Sequence, residues 1–594
     1  MKNSSFALSV IAGAVLLLAG PAQAWRSTNA NGTEYDFSST ISLGAQVRLG
    51  KPLADTIGND NGGNVPTGAP LGSLINGPGN DAAANPDFNF LNADNGNLNY
   101  KRGDIVSLAL KGTHEFGLKT TDGWRALVRG TWVGDFKAGD TRRTDLSDAA
   151  KDIAVRNFTL LDAWVSKDLK FGDRNATVRV GNQVISWGED IFIIGGINQI
   201  NAFDLRKLHT PGTQVKEILR PAPMVSINAG VADGLSVEAY YQWKWNAFRF
   251  DPVGTFFSAG DVVGAGQQPA YIPTSVINSL GGLGVPPCAG AGCGDLGARA
   301  QPGLNVVPFD GDKVPPRGKQ FGLAVRFKPK AMDAEFALYF QRYHDKLPFT
   351  TLYTDVAAVT GNALGIGYYN EYGQDKNLFG ASFNTKMGPV AVGGELSYRP
   401  RDSVAVDGSV PGAGPYSIFD PAGYGQQRLT VRGYVEEKKI QAHLTALYFT
   451  EVNAWTGKLV KALGAAEGTF LGEVAVTHYP NLKIGTIPYL IFPSYANPTK
   501  TSWGYAAEFD LSYPHVWGSD WNLTQVTVFT HDVAGISPNT LPFVKGRKSL
   551  FIGANFDKDA TWKVQAGYTA FFGGGINNIV RDRDNFALSA SYSF

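Results

Sequence analysis

The sequence contains few cysteines, almost no net charge and no long apolar run after its N-terminus. Two cysteines occur in 594 residues, and 53 basic residues balance 52 acidic ones. Such a balance provides no overall field to attract nucleic acid or an anionic membrane surface. After residue 24, charges or glycines interrupt every apolar run before the roughly 18 residues that a transmembrane helix requires. We therefore predict neither nucleic-acid binding nor helical membrane spans.

Motifs for catalysis, metal binding and nucleotide binding are equally scarce. The seven histidines form no HExxH pair and show no ligand-like spacing. The chain also lacks a GxSxG nucleophile elbow and a Walker-type GKS or GKT. We therefore predict no cofactor, no metal site and no enzyme activity.

The N-terminus has the features of a secretory signal. Lys2 precedes an uncharged apolar segment at residues 6–19, and the small-residue sequence AQA occupies residues 22–24. This arrangement predicts that residues 1–24 are a cleaved signal peptide. We expect residues 25–594 to form a single domain in the exported protein.

The mature sequence is typical of a β-barrel. Its 71 glycines and 12% aromatic residues suit tight turns and pleated surfaces. Residues 235–246 alternate between an apolar face and a polar face, and residues 503–513 repeat this pattern. A soluble double sandwich would also alternate. However, tryptophan and tyrosine cluster at strand ends, as expected at the two interfaces of a bilayer, so we predict an all-β, transmembrane antiparallel β-barrel.

Short turns and long connections alternate along the chain, so the strands can be counted. Eight turns and nine long connections indicate about 18 strands, within a range of 16 to 20, and place both chain ends on the periplasmic side. This count puts turns at Asp233-Gly234 and Glu437-Lys438 and assigns the strand-like residues 473–477 to a long connection over residues 452–500. A barrel of this size encloses an aqueous lumen unless loops fill it, which makes the long loops the functional part.

Five stretches carry a family resemblance: residues 92–107 (NADNGNLNYKRGDIVS), 180–212 (VGNQVISWGEDIFIIGGINQINAFDLRKLHTPG), 317–349, 371–400 and 581–594 (RDRDNFALSASYSF). They resemble an outer-membrane family of Gram-negative bacteria known only as a domain of unknown function. The resemblance implies a porin-like barrel whose genes accompany those for catabolism of hydrophobic compounds, an exporter and a lipoprotein-like periplasmic protein. It therefore implies passage of hydrophobic or amphipathic molecules, with a periplasmic lipoprotein or exporter as partner.

The last strand has its own resemblance. Its alternating apolar residues end in Phe594, like the signal read by the outer-membrane barrel assembly machinery. We expect this machinery and outer-membrane lipid as partners.

Residues 187–208, WGEDIFIIGGINQINAFDLRKL, are strongly apolar but lack strand periodicity. They open the third long connection, which in general porins folds into the barrel. An apolar segment exposed at the cell surface would be unfavourable. We predict that this loop folds into the lumen and packs these apolar residues on the wall: Ile191, Phe192, Ile193, Ile194 and Ile197. The candidate constriction residues are Glu189, Asp190, Asn198, Asn201, Asp204 and Arg206. The same sequence is also compatible with a loop that only braces the barrel from inside and does not select a substrate.

Strand alternation predicts further lumen-facing charges on the barrel wall. They are Arg179, Lys244, Arg326, Glu395, Arg399, Arg432, Glu508 and Asp510. Charges of both signs are present. They could form a structural network of cross-strand pairs, or they could discriminate between solutes in the lumen.

Two loop segments have specific interpretations. Cys288 and Cys293 lie in a Gly/Pro-rich stretch and are predicted to form a disulfide in an oxidising compartment. Residues 92–99 cluster asparagines and aspartates in the manner of a calcium loop but lack its closing glutamate. Such side chains commonly cap turns, and we predict that role here.

Together, these features predict a passive channel in the outer membrane of a Gram-negative bacterium. Two alternatives remain open. One is a barrel hydrolase that uses Ser537, His531 and Asp532, which lie close together in the sequence. The other is a plugged docking barrel that serves an exporter.

Overall fold

The computed structural model describes residues 25–65, 86–274, 305–355, 365–410, 413–418, 429–451, 453–492 and 497–594. The predicted signal peptide and the predicted disulfide between Cys288 and Cys293 lie outside these ranges. Within the described ranges, no helix combines the length and the apolar character needed to cross a bilayer.

Eighteen antiparallel strands form one closed barrel, which confirms the predicted fold class and strand number. The strands are β1 (Glu34–Arg48), β2 (Ile105–Lys119), β3 (Trp124–Asp135), β4 (Arg156–Phe171), β5 (Arg174–Gln183), β6 (Ala222–Ala232), β7 (Leu235–Gln242), β8 (Gln320–Phe327), β9 (Ala334–Tyr343), β10 (Lys376–Met387), β11 (Val390–Ala405), β12 (Tyr434–Phe449), β13 (Glu467–His478), β14 (Thr501–Tyr513), β15 (Asn522–Ala534), β16 (Lys548–Lys558), β17 (Trp562–Phe572) and β18 (Asn585–Ser593). A short strand, Trp25–Thr28, pairs with the start of β1.

The first and last strands close the barrel. β1 pairs with β18 in a register that sets Thr40 opposite Ser593 and Arg48 opposite Asn585. The C-terminal residue extends this pairing, because Phe594 and Ser39 exchange two backbone hydrogen bonds of 2.8 and 2.6 Å. Closure leaves no unpaired strand edge, as a barrel within a bilayer requires.

Alternation along each strand separates an apolar outer face from a polar inner face. Large apolar side chains on the outside are exposed, for example Phe158 (71%) on β4 and Leu338 (66%) on β9. The inward positions of β2 instead hold polar groups such as Lys111, Thr113 and Glu115, in register with inward positions of β1 and β3. An apolar exterior of this kind faces lipid.

Short turns join the strands at one end of the barrel. One of the two-residue connections, Asp233-Gly234, joins β6 to β7 and has a left-handed conformation at Gly234 (φ +67°). A Cβ atom there would lie 2.2 Å from the Lys328 carbonyl oxygen, so the position needs glycine for space as well as for backbone conformation. The sequence-predicted turn at this position is confirmed.

Two predictions around β12 and β13 are wrong. Glu437-Lys438 is not a turn, because β12 runs through it and Glu437 pairs with Asp402 of β11. Residues 473–477 are not loop but part of β13, and the connection between these strands is residues 450–466, which hold a short helix. A charged run resembles a turn when its cross-strand partners are unknown. The two errors offset each other, so the total of 18 strands is still correct.

The nine long connections at the other end contain the remaining elements. The helices are Pro86–Leu91, Asn95–Leu98, Asp148–Ala154 and Leu205–Leu208, with Trp455–Ala462 at the short-turn end. Four loop strands form a small sheet: Phe309–Lys313, Phe349–Thr354, Ile366–Glu371 and Leu429–Val431. Two short ladders pair Ala202–Phe203 with Leu219–Arg220 and Ala270–Tyr271 with Val306–Val307. The 3₁₀ turns are Ala54–Thr56, Asn59–Asn61, Val215–Glu217, Gly414–Tyr416, Val516–Gly518, Pro538–Thr540 and Gly575–Asn577.

Candidate functional site

The third long connection, residues 184–221, crosses the interior of the barrel, and we call it the crossing loop. It leaves β5, contacts inward side chains of β9 to β13, and then contacts β1 to β3 before it reaches β6. At its start, Trp187 is buried against Tyr240 and donates through Nε1 to Glu238 Oε2 (2.7 Å). The loop therefore folds into the lumen.

Glu395 of β11 holds the first half of the crossing loop at two points. Its Oε2 accepts from the Glu189 backbone N–H (2.6 Å), and its Oε1 accepts from the Ile197 N–H (2.8 Å). Arg399 of β11 adds two further hydrogen bonds, because its Nη2 donates to the carbonyl oxygens of Gly195 (2.5 Å) and Gly196 (2.7 Å). The charged wall residues thus satisfy loop backbone groups that would otherwise be buried without partners.

Glu473 of β13 forms the most concentrated contact with the loop. Its Oε2 accepts from three successive backbone N–H groups, those of Ile191 (3.2 Å), Phe192 (2.5 Å) and Ile193 (3.0 Å). Its other oxygen lies 2.6 Å from Nδ1 of His443 on β12. Both side chains are fully buried. A carboxylate that receives several N–H groups is a strong, orienting interaction.

The second half of the crossing loop is fixed to the opposite wall. Lys111 Nζ of β2 donates to Glu217 Oε2 (2.7 Å) and to the Gly212 carbonyl oxygen (3.3 Å). Arg206 forms an ion pair with Asp135 at the end of β3 (2.9 Å). The chain also lies against β1, where Gly44 leaves no space for a side chain beside Pro211.

We expect Gly44→Val to displace this half of the loop. A Cβ at Gly44 would lie 2.6 Å from Pro211 Cβ, and overpacking of this kind costs about 1–3 kcal/mol. The measurement is the rate of tryptic cleavage at Lys207 and Lys216 in the folded, heat-modifiable barrel. Gly134→Val is the matched control, because a Cβ at Gly134 meets no atom within 4 Å. Equal cleavage rates in the two variants would contradict the close packing.

Two cavities lie on either side of the crossing loop. The larger, about 1180 Å³, is enclosed by the loops at the long-loop end, and the smaller, about 370 Å³, lies against β9 to β13. Asp190 lines the larger cavity, Glu189 lines the smaller one, and Ile191 lines both. Residues 189–191, which we call the septum, therefore separate the two spaces.

The larger cavity is mainly apolar. Ile191 to Ile194 of the crossing loop contribute four consecutive apolar residues to its lining. Aromatic residues from the other loops surround them: Phe88, Phe203, Phe248, Phe250, Phe349, Tyr368 and Phe492. Such a concave, largely apolar space with a few polar groups is typical of a small-molecule site. The smaller cavity is more polar, with Lys328, Asp333 and Glu335 in its lining.

The strands that the crossing loop does not touch retain a hydrated inner face. On β14 to β17 the lumen-facing side chains of Glu508, Asp510, Phe551 and Gln565 are only half-buried. Water therefore reaches this part of the wall, whereas inward residues of β9 to β13 are mostly buried under the loop.

The six candidate constriction residues divide into two groups. Asp190 and Asn198 face the larger cavity and Glu189 the smaller one. Burial, reinforced by the Glu395 and Glu473 carboxylates, raises the pKa of Asp190 to about 8.

The other three constriction candidates are buried braces. The Asn201 side chain bonds to both backbone groups of Ile185, because its Oδ1 accepts from the Ile185 N–H and its Nδ2 donates to the Ile185 carbonyl oxygen. Asp204 pairs with Arg249 (2.9 Å), in addition to the pair between Arg206 and Asp135. The residues that brace the loop and the residues that line the cavities thus occupy different parts of it.

Most of the candidate wall residues point inward, but they differ in what they contact. Arg326 pairs with Glu238 (2.9 Å) and Glu335 (3.1 Å), and Arg179 stacks on Trp164 (4.2 Å). Glu395 and Arg399 hold the crossing loop, while Glu508 and Asp510 border the hydrated side. Lys244 and Arg432 lie in loops beyond the strand ends and are exposed.

The residues of the hydrolase alternative contact different partners. Ser537 Oγ bonds to Ser502 Oγ (2.6 Å), and Asp532 pairs with Arg547 (2.7 Å). The His531 ring lies beside Tyr505, with ring centroids 5.7 Å apart. No hydrogen bond joins the three side chains to one another in the described part of the chain, so the geometry gives this alternative no support.

The asparagine-rich segment ties loops together. Asn99 Oδ1 accepts from the Arg143 and Thr144 backbone N–H groups (3.1 and 2.9 Å), and Asn92 Oδ1 accepts from the Tyr271 N–H (2.6 Å). The described residues contain no group of three His, Cys, Asp or Glu side chains that could hold a metal ion. The predicted capping of the segment's own turn is wrong, because these bonds reach residues 44 to 179 positions away and Asp94, the N-cap of the helix Asn95–Leu98, makes no side-chain cap bond.

Sequence reasoning missed Glu473 and His443, the residues that hold the septum. Both lie on inward positions of their strands, and the prediction of a loop over residues 473–477 gives Glu473 no strand face. The alternating residues 471–477, with Glu473 in an otherwise apolar strand, would have identified the glutamate as lumen-facing.

Comparisons with known proteins found one matching family and several similar solved structures. The family described as "Protein of unknown function (DUF1302)" matches residues 5–594. No protein with a curated description matches the sequence. Among solved structures, OccAB3 of Acinetobacter baumannii is similar with 9% identity and a TM-score of 0.40, covering 94% of this chain and 99% of that chain. OccD3 (OpdP) of Pseudomonas aeruginosa is similar with 9% identity and a TM-score of 0.35, covering 98% of this chain and 96% of that chain.

Proposed function

The chain belongs to the DUF1302 family of proteins of unknown function, and we propose that it passes hydrophobic small molecules through the outer membrane. Its porin-like barrel, closed and apolar outside, is the architecture of a Gram-negative outer-membrane channel. The observation that carries the proposal is the apolar cavity of about 1180 Å³ at the long-loop end. A channel for sugars or salts would gain nothing from such a lining.

The two cavities suggest a route. A hydrophobic molecule would leave water for the larger cavity, where burial of its apolar surface is favourable. It would then pass the septum into the smaller, more polar cavity, which lies toward the short turns that carry Lys328 and Asp333. Movement would follow the concentration gradient. Weak binding in the larger cavity, ahead of the septum, favours passage more than tight binding would, because the molecule must also leave the site.

Uptake of N-phenyl-1-naphthylamine tests this proposal. This uncharged probe is held back by lipopolysaccharide and fluoresces once it reaches phospholipid. We expect intact Gram-negative cells that carry the protein to take up the probe several-fold faster than cells with an empty vector. Uptake equal to that of vector cells, with the folded barrel present in the outer membrane, would contradict the proposal and favour the plugged docking barrel.

A blocking variant distinguishes passage through the lumen from damage to the membrane. Gly393 lines the smaller cavity, and a Cβ there would lie 3.0 Å from Glu189 Oε2. A phenyl group at this position would fill space beside the septum, so we expect Gly393→Phe to reduce probe uptake to the vector rate. Gly134→Phe adds the same ring to the outer face, where no atom lies within 4 Å. Equal uptake by the two variants would show that the probe does not use this route.

A further inference from the structure

The described lining residues of the larger cavity carry almost no positive charge, because Arg547 is the single Arg or Lys among them. Its Nε lies 2.7 Å from Asp532 Oδ2, and its Nη2 donates to the Pro542 carbonyl oxygen (2.6 Å). The guanidinium is therefore already neutralised by an internal partner and is a poor receptor for a second anion.

The acidic residues of this described lining are also accounted for, with one exception. Asp251 Oδ2 lies 2.7 Å from His209 Nδ1, and Asp407 accepts from both the backbone N–H and the hydroxyl of Ser409 (2.7 and 2.6 Å). Asp190, at the septum, forms no ion pair with a described cation. Any solute that reaches the septum must pass this side chain.

The surroundings of Asp190 repel negative charge. Glu395 from β11 and Glu473 from β13 both act on it, with Glu189 beside it in the loop. Arg399 of β11 and His443 of β12 are the basic groups nearby, and both already bond to the loop or to Glu473. A hydrophobic anion would thus lose its hydration in the apolar cavity without finding a free cation among the described lining residues, and would then meet several carboxyl groups.

We propose that the larger cavity and the septum select uncharged hydrophobic molecules and reject hydrophobic anions of the same size. This inference rests on the proposed function, whose substrate class it specifies. It predicts that a carboxylated or sulfonated form of a substrate is excluded even when its ring system fits.

The test compares two probes that share an anilinonaphthalene skeleton. N-Phenyl-1-naphthylamine is uncharged, and 8-anilino-1-naphthalenesulfonate is an anion. After subtraction of the vector rates, we expect the uncharged probe to be taken up at least about tenfold faster, which corresponds to a barrier difference of about 1.4 kcal/mol. Equal rates for the two probes would overturn the inference but leave the proposed function intact. Failure of both probes to exceed the vector rates would overturn the proposed function itself.

Supplying the missing cation should change the selectivity. Phe250 is half-buried in the cavity lining, and Phe250→Lys is expected to raise the anion rate relative to the uncharged rate by severalfold. Val314→Lys is the matched control, because Val314 is 62% exposed at the same end and does not line the cavity. An identical ratio of rates in both variants would contradict a charge-selecting cavity.

The pH dependence gives a second readout. With a pKa of about 8, Asp190 is mostly uncharged at pH 7 and ionised at pH 9, so anion uptake should fall relative to neutral uptake over this interval. In Asp190→Asn, the ratio should be independent of pH between these values. If the ratio of anion to neutral uptake does not change with pH in the wild type, or changes equally in Asp190→Asn, then Asp190 does not contribute to the selection.

Discussion

Replacement of Glu473 by alanine is expected to raise single-channel conductance by about twofold or more, because it releases the loop that narrows the lumen. The change deprives three successive N–H groups, those of Ile191, Phe192 and Ile193, of their shared acceptor. These half-buried N–H groups can regain hydrogen bonds only by moving toward water. The contacts of Glu395 with Glu189 and Ile197 remain on either side, so we expect residues 191–193 to leave the wall.

The control for this prediction is Glu508→Ala. Glu508 also faces the lumen, on the strand next to β13, but it is half-buried and bonds to no atom of the crossing loop. It therefore reports the effect of a lost wall charge alone. Glu473→Gln keeps one acceptor oxygen and should give an intermediate conductance. The idea of a loop held by Glu473 fails if the alanine variants at both positions conduct alike and show the same tryptic cleavage of residues 184–221.

Replacement of Arg48 by alanine is expected to give the largest loss of stability. Arg48 is fully buried at the end of β1. It donates to the carbonyl oxygens of Gly50, Asn97, Tyr100 and Asp582 and lies 3.4 Å from the Asp582 carboxylate. Removing one member of a buried ion pair costs about 3–5 kcal/mol. Because these contacts join the first and last long loops, we expect the long-loop end to open.

The measurement for Arg48 is the urea midpoint of the detergent-solubilised barrel, together with the temperature at which its gel mobility changes. Arg48→Lys should recover part of the loss, because an ammonium group keeps the charge but cannot reach all of these acceptors. Lys119→Ala removes an exposed ion pair with Glu34 and should lower the free energy of unfolding by less than about 1 kcal/mol. Equal midpoints for Arg48→Ala and Lys119→Ala would show that the buried arginine does not hold the loops together.

The sequence predicted those parts of the fold that depend on local patterns. Period-two alternation identifies which side chains of β2, β7 and β14 face lipid and which face the lumen, since a strand imposes that alternation wherever it lies. Glycine-containing turns such as Asp233-Gly234 mark the short-turn end. The apolar, aperiodic residues 187–208 predicted a loop that folds inward, because neither a strand nor a surface loop accommodates them.

The arrangement around that loop required the tertiary structure. Sequence analysis proposed that Ile191 to Ile194 pack on the wall, whereas Ile197 is the buried residue and the other four line a cavity. It could not pair Glu473 with a backbone almost three hundred residues away, nor Arg48 with Asp582.

The sequence by itself thus determined a porin-like barrel with an in-folded apolar loop, because alternation and turn chemistry are properties of neighbouring residues. Only the tertiary structure decided that residues 189–191 separate two cavities and that Asp190 lies between them without an ion pair to a described cation. Closing a barrel brings distant strands to face one another across the lumen, and no local pattern records which of their side chains meet.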